Sequence, residues 1–169
     1  MHEGCPVGFD ALALLQVSYW NDDGAIAQGE LVVAQEHAAS LRAVFARLFA
    51  LRFPIHSVRL IDDFGGSDDA SMAANNTSAF NCRPIAGGTS WSRHSYGDAI
   101  DLNPLVNPYV KGARVLPPAG APYVDRAAQA PGLIRADDDV VKAFGAQGWK
   151  WGGAWTSLQD YQHFSVSGR

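Results

Sequence analysis

Two histidines and two aspartates of this 169-residue chain have the types and spacing of a hydrolytic metal centre. His94 and Asp101 lie seven residues apart, with Gly97 between them where the chain can turn sharply. Asp160 and His163 add a second carboxylate and a second imidazole. Two imidazoles and one carboxylate suit Zn²⁺ and leave its fourth tetrahedral position to water. Zinc lowers the pKa of such a water to about 7, and Asp160 is then a candidate general base for it.

The same spacing also admits a simpler interpretation, in which His94 and Asp101 form an ordinary hydrogen-bonded pair. Strand geometry adds a condition to the metal hypothesis. In a regular strand Asp160 and His163 would point to opposite faces, because side chains alternate. If both reach one metal, the chain around Asp160 must be irregular. We therefore predict a loop or bulge there, with the regular strand beginning near Tyr161.

Residues 92–101 resemble the Ser-x-His-x-x-Gly-x-Ala-x-Asp signature of the zinc D,D-carboxypeptidase family. That family includes vancomycin-resistance carboxypeptidases and phage endolysins that cut L-alanyl-D-glutamate bonds, and its fold is shared with hedgehog signalling domains. Residues 160–163 resemble the family's second element, an acidic residue three positions before a histidine; many members have Glu there, and the Asp is similar to the endolysin-type branch. Further matches extend the resemblance over about residues 19–164: residues 76–83, 101–104 and 149–153.

The resemblance implies a role for each matching residue. His94, Asp101 and His163 would hold one zinc ion. Asp160 would take a proton from the attacking water and deliver it to the leaving amine. Arg83 would stabilise the developing oxyanion or the substrate carboxylate, which agrees with the electrostatics of a fixed guanidinium beside a metal.

Three of the predicted site residues also have structural interpretations. Arg83 could instead form a structural salt bridge. Ser92 is expected to shape the pocket or bind substrate, but it could equally cap a turn. At least one of Trp149, Trp151 and Trp155 is expected to line the substrate groove, and Trp151 is the one assigned to substrate binding, although tryptophans in a strand-like run more often pack in a core.

The expected function is hydrolysis of peptidoglycan stem peptides by a D-alanyl-D-alanine carboxypeptidase that acts as a monomer. An L-alanyl-D-glutamate-type endopeptidase is the alternative, since the sequence does not separate the two. By analogy with hedgehog domains, a catalytically silent, zinc-stabilised binding module is a further alternative. The presence of Asp160, Arg83 and the three metal ligands favours the enzyme.

The element order predicts one α+β domain over residues 1–169. We expect a small antiparallel sheet to carry Asp101 and His163 on neighbouring strands, with helices on its other face. The clearest element is a helix at about residues 35–51, whose apolar positions recur at helical spacing: Leu41, Val44, Phe45, Leu48 and Phe49. Shorter elements are a strand at residues 17–20, a strand or helix entry at 31–33, strands at 57–61, 99–102 and 161–166, and a helix at about 137–144. Loops are predicted at residues 62–88 and 104–132.

Composition limits the other function classes. With 47% apolar and 18% charged residues the chain is typical of globular proteins, and its net charge of −4 with no basic stripe argues against nucleic-acid binding. No apolar run approaches the roughly 18 to 20 residues that span a bilayer. Residues 1–10 lack the pattern of a signal peptide. We expect a protein that acts outside the cytoplasm with its export signal missing from this sequence, and a cytoplasmic location stays open.

The two cysteines leave a further alternative open. A bridge between Cys5 and Cys82 would stabilise the fold by roughly 4 kcal/mol through chain entropy and would indicate an oxidising compartment. Two separate buried thiols are equally compatible with the sequence.

Overall fold

Three α-helices and ten strands follow one another in residues 4–85 and 88–168, the parts of the chain that the computed structural model describes. The first two strands, β1 (Leu12–Trp20) and β2 (Ile26–Ala34), form a long antiparallel hairpin. The Asn21 side chain closes its turn by accepting from the backbone N–H groups of Asp23 and Ala25 at 3.1 and 2.8 Å. The β2 strand decides the alternative that the sequence left open at residues 31–33.

Helix α1 (Ala38–Ala50) confirms the predicted apolar stripe. Four stripe residues are buried, Leu41, Val44, Phe45 and Leu48, and they belong to the core that also contains alternate residues of β1. Phe49 lies at the edge of this core and stacks on Trp20 with ring centroids 5.5 Å apart. Burial of one apolar face against the hairpin therefore holds this helix in place.

A three-stranded antiparallel sheet confirms the predicted framework of the site. Its order is β5 (Ala99–Asp101), β10 (His163–Ser165) and β8 (Lys150–Trp151), and His163 lies directly opposite Asp101. Phe164 points to the other face, where it stacks on Phe144 of helix α3 (Asp139–Gly145) with centroids 3.8 Å apart. Strand alternation thus divides β10 into a core side and a site side. The α+β class is as expected.

The stretches predicted as loops contain short regular elements. Residues 62–88 include helix α2 (Asp68–Ala73), which Ser67 caps, and strand β4 (Asn76–Thr77), which pairs in parallel with β3 (Ser57–Val58). Residues 104–132 include the hairpin of β6 (Tyr109–Lys111) and β7 (Arg114–Leu116). Strand β9 (Gln159–Asp160) then pairs with β6 to complete a second three-stranded sheet.

The irregular backbone predicted at Asp160 lies just after this residue, at residues 161–162. Asp160 itself is in β9, opposite Tyr109, while His163 begins β10 in the other sheet. A turn at residues 161–162 joins the two strands, so the prediction of a strand from Tyr161 is wrong. Because the chain changes sheets at this turn, strand alternation no longer separates Asp160 from His163.

Arg126 ties the long 104–132 stretch to the rest of the domain. Its guanidinium donates to the Asn107 side chain at 2.6 Å and to the Ile134 carbonyl at 2.8 Å, and it lies 4.4 Å from the centre of the Tyr161 ring. Burial lowers the pKa of Arg126 to about 10, which leaves it charged at neutral pH.

Replacing Arg126 by methionine is expected to destabilise the protein, because buried acceptors lose their charged donor. We expect a loss of about 2–3 kcal/mol, or a fall in Tm of roughly 5–10 °C. Thermal unfolding by circular dichroism measures it. Arg42→Met is the control, since Arg42 lies exposed on α1. A Tm unchanged within about 1 °C would show that the Arg126 contacts contribute nothing net.

The cysteines and the helix lengths answer two further questions that the sequence raised. Cys5 and Cys82 form a disulfide bond, which decides the alternative that the sequence left open. Within residues 4–85 and 88–168, each helix is too short or too polar to cross a bilayer.

Candidate metal centre

The turn that carries His94 explains two of the fixed positions in residues 92–101. Ser92 precedes a 3-10 turn, Arg93–Tyr96, and its hydroxyl accepts from the His94 N–H at 3.4 Å. Gly97 ends the turn with φ 74°, and a Cβ there would lie 2.4 Å from the Ala34 backbone nitrogen. Only glycine fits both the left-handed conformation and this contact. The signature therefore fixes the path of the chain from His94 into β5.

His94, Asp101 and His163 converge on one buried point. Each offers a ligand atom within 4.8 Å of the others. His94 Nε2 lies 3.2 Å from Asp101 Oδ2, His163 Nδ1 lies 3.0 Å from Asp101 Oδ1, and the two ring nitrogens are 3.3 Å apart. All three residues are at most 6% exposed. Residues 69 positions apart in the chain are thus brought together by the β5–β10 pairing.

The donor set fits a divalent cation. The Ala79 carbonyl can only accept, so His94 Nδ1, 2.6 Å away, carries a proton and its Nε2 presents a lone pair to the cluster. That lone pair faces a carboxylate oxygen and a second imidazole nitrogen, and a positive charge at the centre would stabilise this arrangement. Two nitrogens and one oxygen are the ligand types of an open zinc site. One metal ion suits this cluster.

Asp101 remains a carboxylate despite its burial. Desolvation alone would raise its pKa, but the His94 and His163 imidazoles beside it outweigh this effect and lower the pKa below the usual range. The group therefore stays negative and able to bind a cation.

Asp160 has a different environment, although it lines the same cavity. Its Oδ1 is buried and has no hydrogen-bond partner. Burial raises the pKa of Asp160 to about 6, against the opposing charge of His163 and with a further increase from Asp101. Its backbone passes close to Gly152, where a Cβ would lie 3.1 Å from the Asp160 Cβ and 3.2 Å from the His163 Cβ. The absence of a side chain at Gly152 lets the two residues lie side by side.

Arg83 both forms a salt bridge and lines the cavity. Its Nη2 lies 2.7 Å from Asp68 Oδ2 on α2, while its Nε is buried without a partner. The buried Ser95 hydroxyl holds the backbone of this segment, accepting from the Arg83 N–H at 2.9 Å and donating to the Arg83 carbonyl at 2.7 Å. The salt-bridge alternative for Arg83 is therefore present, and it fixes the guanidinium beside the cluster.

The tryptophan prediction needs correction. Trp151 is 8% exposed, belongs to the core, and donates its indole N–H to the Tyr161 carbonyl at 2.8 Å. It is not among the cavity-lining residues in the described part of the chain. Trp155 lines the cavity instead, with its ring 5.5 Å from that of His163. Trp151 faces inward because it pairs with Phe164 across β8 and β10, whereas Trp155 lies beyond the strand, after the 3-10 turn Gly152–Ala154. Ser92 also lines the cavity in addition to capping the turn.

The cavity itself has a volume of about 800 Å³. The metal cluster, Asp160 and Arg83 all line it. A space of this size accommodates a short peptide rather than a single small ion. The arrangement therefore places a candidate metal, a candidate base and a cation around one substrate-sized site.

Among the residues that line this cavity, sequence reasoning missed the charged side chains Asp68, Lys111 and Arg114, whereas Trp155 was one of three tryptophans considered for the substrate groove. A sequence pattern could have predicted the hairpin that carries Lys111 and Arg114. The β-prone triplets of β6 and β7 flank a two-residue turn that contains Gly112. Asp68 follows the capping residue Ser67, which predicts a helix start but no site. Nothing in the sequence distinguishes Trp155 from the other tryptophans.

Comparison with known proteins agrees with this geometry. A family model described as D-alanyl-D-alanine carboxypeptidase matches residues 86–166, a range that contains the three cluster residues and Asp160. No curated protein and no solved structure matches the chain. The family match supports the resemblance of this chain to the zinc D,D-carboxypeptidase-like peptidases, and it does so over residues 86–166.

Proposed function

We propose that this protein is a zinc-dependent D-alanyl-D-alanine carboxypeptidase that hydrolyses peptidoglycan stem peptides. The observation that carries the proposal is the buried cluster of His94, Asp101 and His163, whose donor atoms converge in a peptide-sized cavity. The family match supports a peptidase.

The reaction needs a water to attack the scissile carbonyl and a proton to reach the leaving nitrogen. When bound, zinc polarises the carbonyl and makes water a better nucleophile at neutral pH. Asp160 takes the proton that the attacking water loses and delivers it to the amine as the C–N bond breaks. The products are a peptide with a new carboxylate and free D-alanine. Burial raises the pKa of Asp160 and so favours a carboxyl that can both take up and release a proton during the reaction.

Arg83 has two possible targets in this reaction, the growing oxyanion and the terminal carboxylate of the substrate. Asp68 holds one end of the guanidinium, and the unpartnered Nε is a donor without an acceptor. A donor fixed in advance stabilises developing negative charge without reorganising when the reaction occurs. We assign Arg83 to this electrostatic role.

The remaining alternatives differ from this proposal in what they require. A silent binding module has no need of a carboxylate with a buried, unpartnered oxygen beside the metal cluster, and Asp160 Oδ1 is such an oxygen. An L-alanyl-D-glutamate-type endopeptidase would use the same residues on a bond further inside the stem. The Cys5–Cys82 disulfide supports an oxidising location, as expected for an enzyme that meets peptidoglycan outside the cytoplasm.

Mass analysis of one digest tests the proposal. Incubation of the zinc-loaded protein with a pentapeptide muropeptide is expected to release a single D-alanine. Treatment with a chelator should abolish the release and added zinc should restore it. Cleavage further inside the stem would replace the carboxypeptidase by the endopeptidase alternative. No cleavage despite one bound zinc per chain would favour the binding module.

A further inference from the structure

The β6–β7 hairpin presents one face to the cavity that holds the metal cluster. Tyr109 and Lys111 of β6 and Arg114 and Leu116 of β7 line that cavity, whereas the residues between them do not. This alternation is the one expected of two paired strands, whose successive side chains point to opposite faces. The hairpin is therefore a wall of the site, built from four side chains.

These side chains form two cross-strand pairs in a fixed order. Tyr109 lies opposite Leu116, and Lys111 lies opposite Arg114. Tyr109 is also paired with Asp160 on β9, so the apolar pair is next to the proposed base. The basic pair follows two residues further along β6, at a distance of about 7 Å along the strand. The wall changes from apolar to basic with increasing distance from the reacting centre.

The basic pair has no counter-ion of its own in the part of the chain that the structure describes. The other two arginines of the cavity are neutralised, Arg83 by Asp68 and Arg93 by Asp98. Neither Lys111 nor Arg114 forms an ion pair or hydrogen bond through its side chain with any described residue, and both are exposed. Like charges directly opposite each other on two strands repel. An anion bound between them would relieve this repulsion.

We infer that Lys111 and Arg114 bind a carboxylate on the second residue before the scissile bond and select substrates that carry it. The inference rests on the proposed function and names the substrate class for the same site. Neighbouring residues of an extended peptide lie about 3.4 Å apart, and a carboxylate at the end of the second residue's side chain covers the remainder of the step of about 7 Å from the apolar to the basic pair. A carboxypeptidase leaves only one residue on the other side of the bond. In a pentapeptide stem, the fourth residue would then contact Tyr109 and Leu116.

Lys111 and Arg114 would consequently recognise the charge of the third residue of the stem. A stem with diaminopimelate at this position offers a free side-chain carboxylate there, and amidation of that carboxylate removes the charge with little change in shape. Two charge-assisted hydrogen bonds to one carboxylate are a strong and directional contact.

The test compares two synthetic pentapeptide stems that differ only in this amidation. The enzymes are the zinc-loaded wild type, Lys111→Gln, Arg114→Gln and the double variant, with Arg42→Gln as the charge-removal control on the exposed side of α1. We expect the wild type to favour the free carboxylate by about 10- to 100-fold in kcat/KM, mainly through KM. The double variant should lose that preference and change kcat/KM for the amidated peptide by less than about threefold. Arg42→Gln should retain it.

Two results would overturn the inference while the proposed function stands. One is a wild type that hydrolyses both peptides equally well. The other is a folded double variant that loses activity on both to the same extent. If the zinc-loaded wild type hydrolyses neither peptide, the proposed function fails. In that case, calorimetry measures the dissociation constants of the same two peptides for the zinc-loaded wild type. Equal dissociation constants would overturn the inference.

Discussion

Replacement of His163 by alanine is expected to abolish both zinc binding and hydrolysis. His163 supplies one of the two nitrogen ligands, and its Nδ1 lies 3.0 Å from Asp101 and 3.3 Å from His94 Nε2. Without it, one nitrogen and one carboxylate remain, too few ligands for a tight zinc site. Elemental analysis after dialysis should find less than about 0.1 zinc per chain, against one in the wild type, and release of D-alanine should fall by at least about 10³-fold.

His56→Ala provides the matched control. His56 is a half-exposed histidine that pairs with Asp22 at 2.6 Å and does not line the cavity. It should keep one zinc and full activity. Circular dichroism separates loss of the metal from loss of the fold, because His163 lies in a sheet whose core side, Phe164 on Phe144, is unchanged by the substitution. A folded His163→Ala protein with one zinc per chain would contradict the ligand assignment.

The metal cluster could be predicted from the sequence because its parts are local or directly paired. The 92–101 segment sets the turn at Gly97 and the strand that follows, and antiparallel pairing of β5 with β10 brings His163 opposite Asp101. A signature with fixed polar and small residues therefore contains most of the geometry. The same holds for α1, since its buried stripe follows from helical spacing alone.

The walls of the cavity could not be predicted in the same way. Asp68, Lys111 and Arg114 lie in stretches rich in glycine, proline and polar residues, where no apolar periodicity indicates which residues meet. The placement of Lys111 and Arg114 depends on pairing between β6 and β9, which are about 50 residues apart in the chain. The exchange of Trp151 for Trp155 has the same origin: which tryptophan faces the core depends on a two-residue strand, β8, that propensity does not reveal.

Asp160→Asn is expected to separate metal binding from catalysis. The substitution keeps the size of the side chain but removes its negative charge and its ability to accept a proton as a base. Asp160 is not one of the three residues whose ligand atoms converge, so the variant should retain one zinc per chain. Removal of a general base lowers kcat by about 10²- to 10⁴-fold. We expect KM for the pentapeptide to change by less than about threefold, because the base acts mainly in the transition state.

Zinc content, kcat and KM measured on one preparation distinguish the outcomes. Asp23→Asn is the control, since Asp23 is exposed in the β1–β2 turn, away from the cavity. We expect the fold to tolerate an amide here, since the buried Oδ1 of Asp160 has no hydrogen bond to lose. Loss of zinc together with activity would make Asp160 a ligand rather than a base. Full activity with zinc retained would require another group to move the proton, and within the described cavity lining the remaining carboxylates, Asp68 and Asp101, are engaged with Arg83 and with the metal cluster.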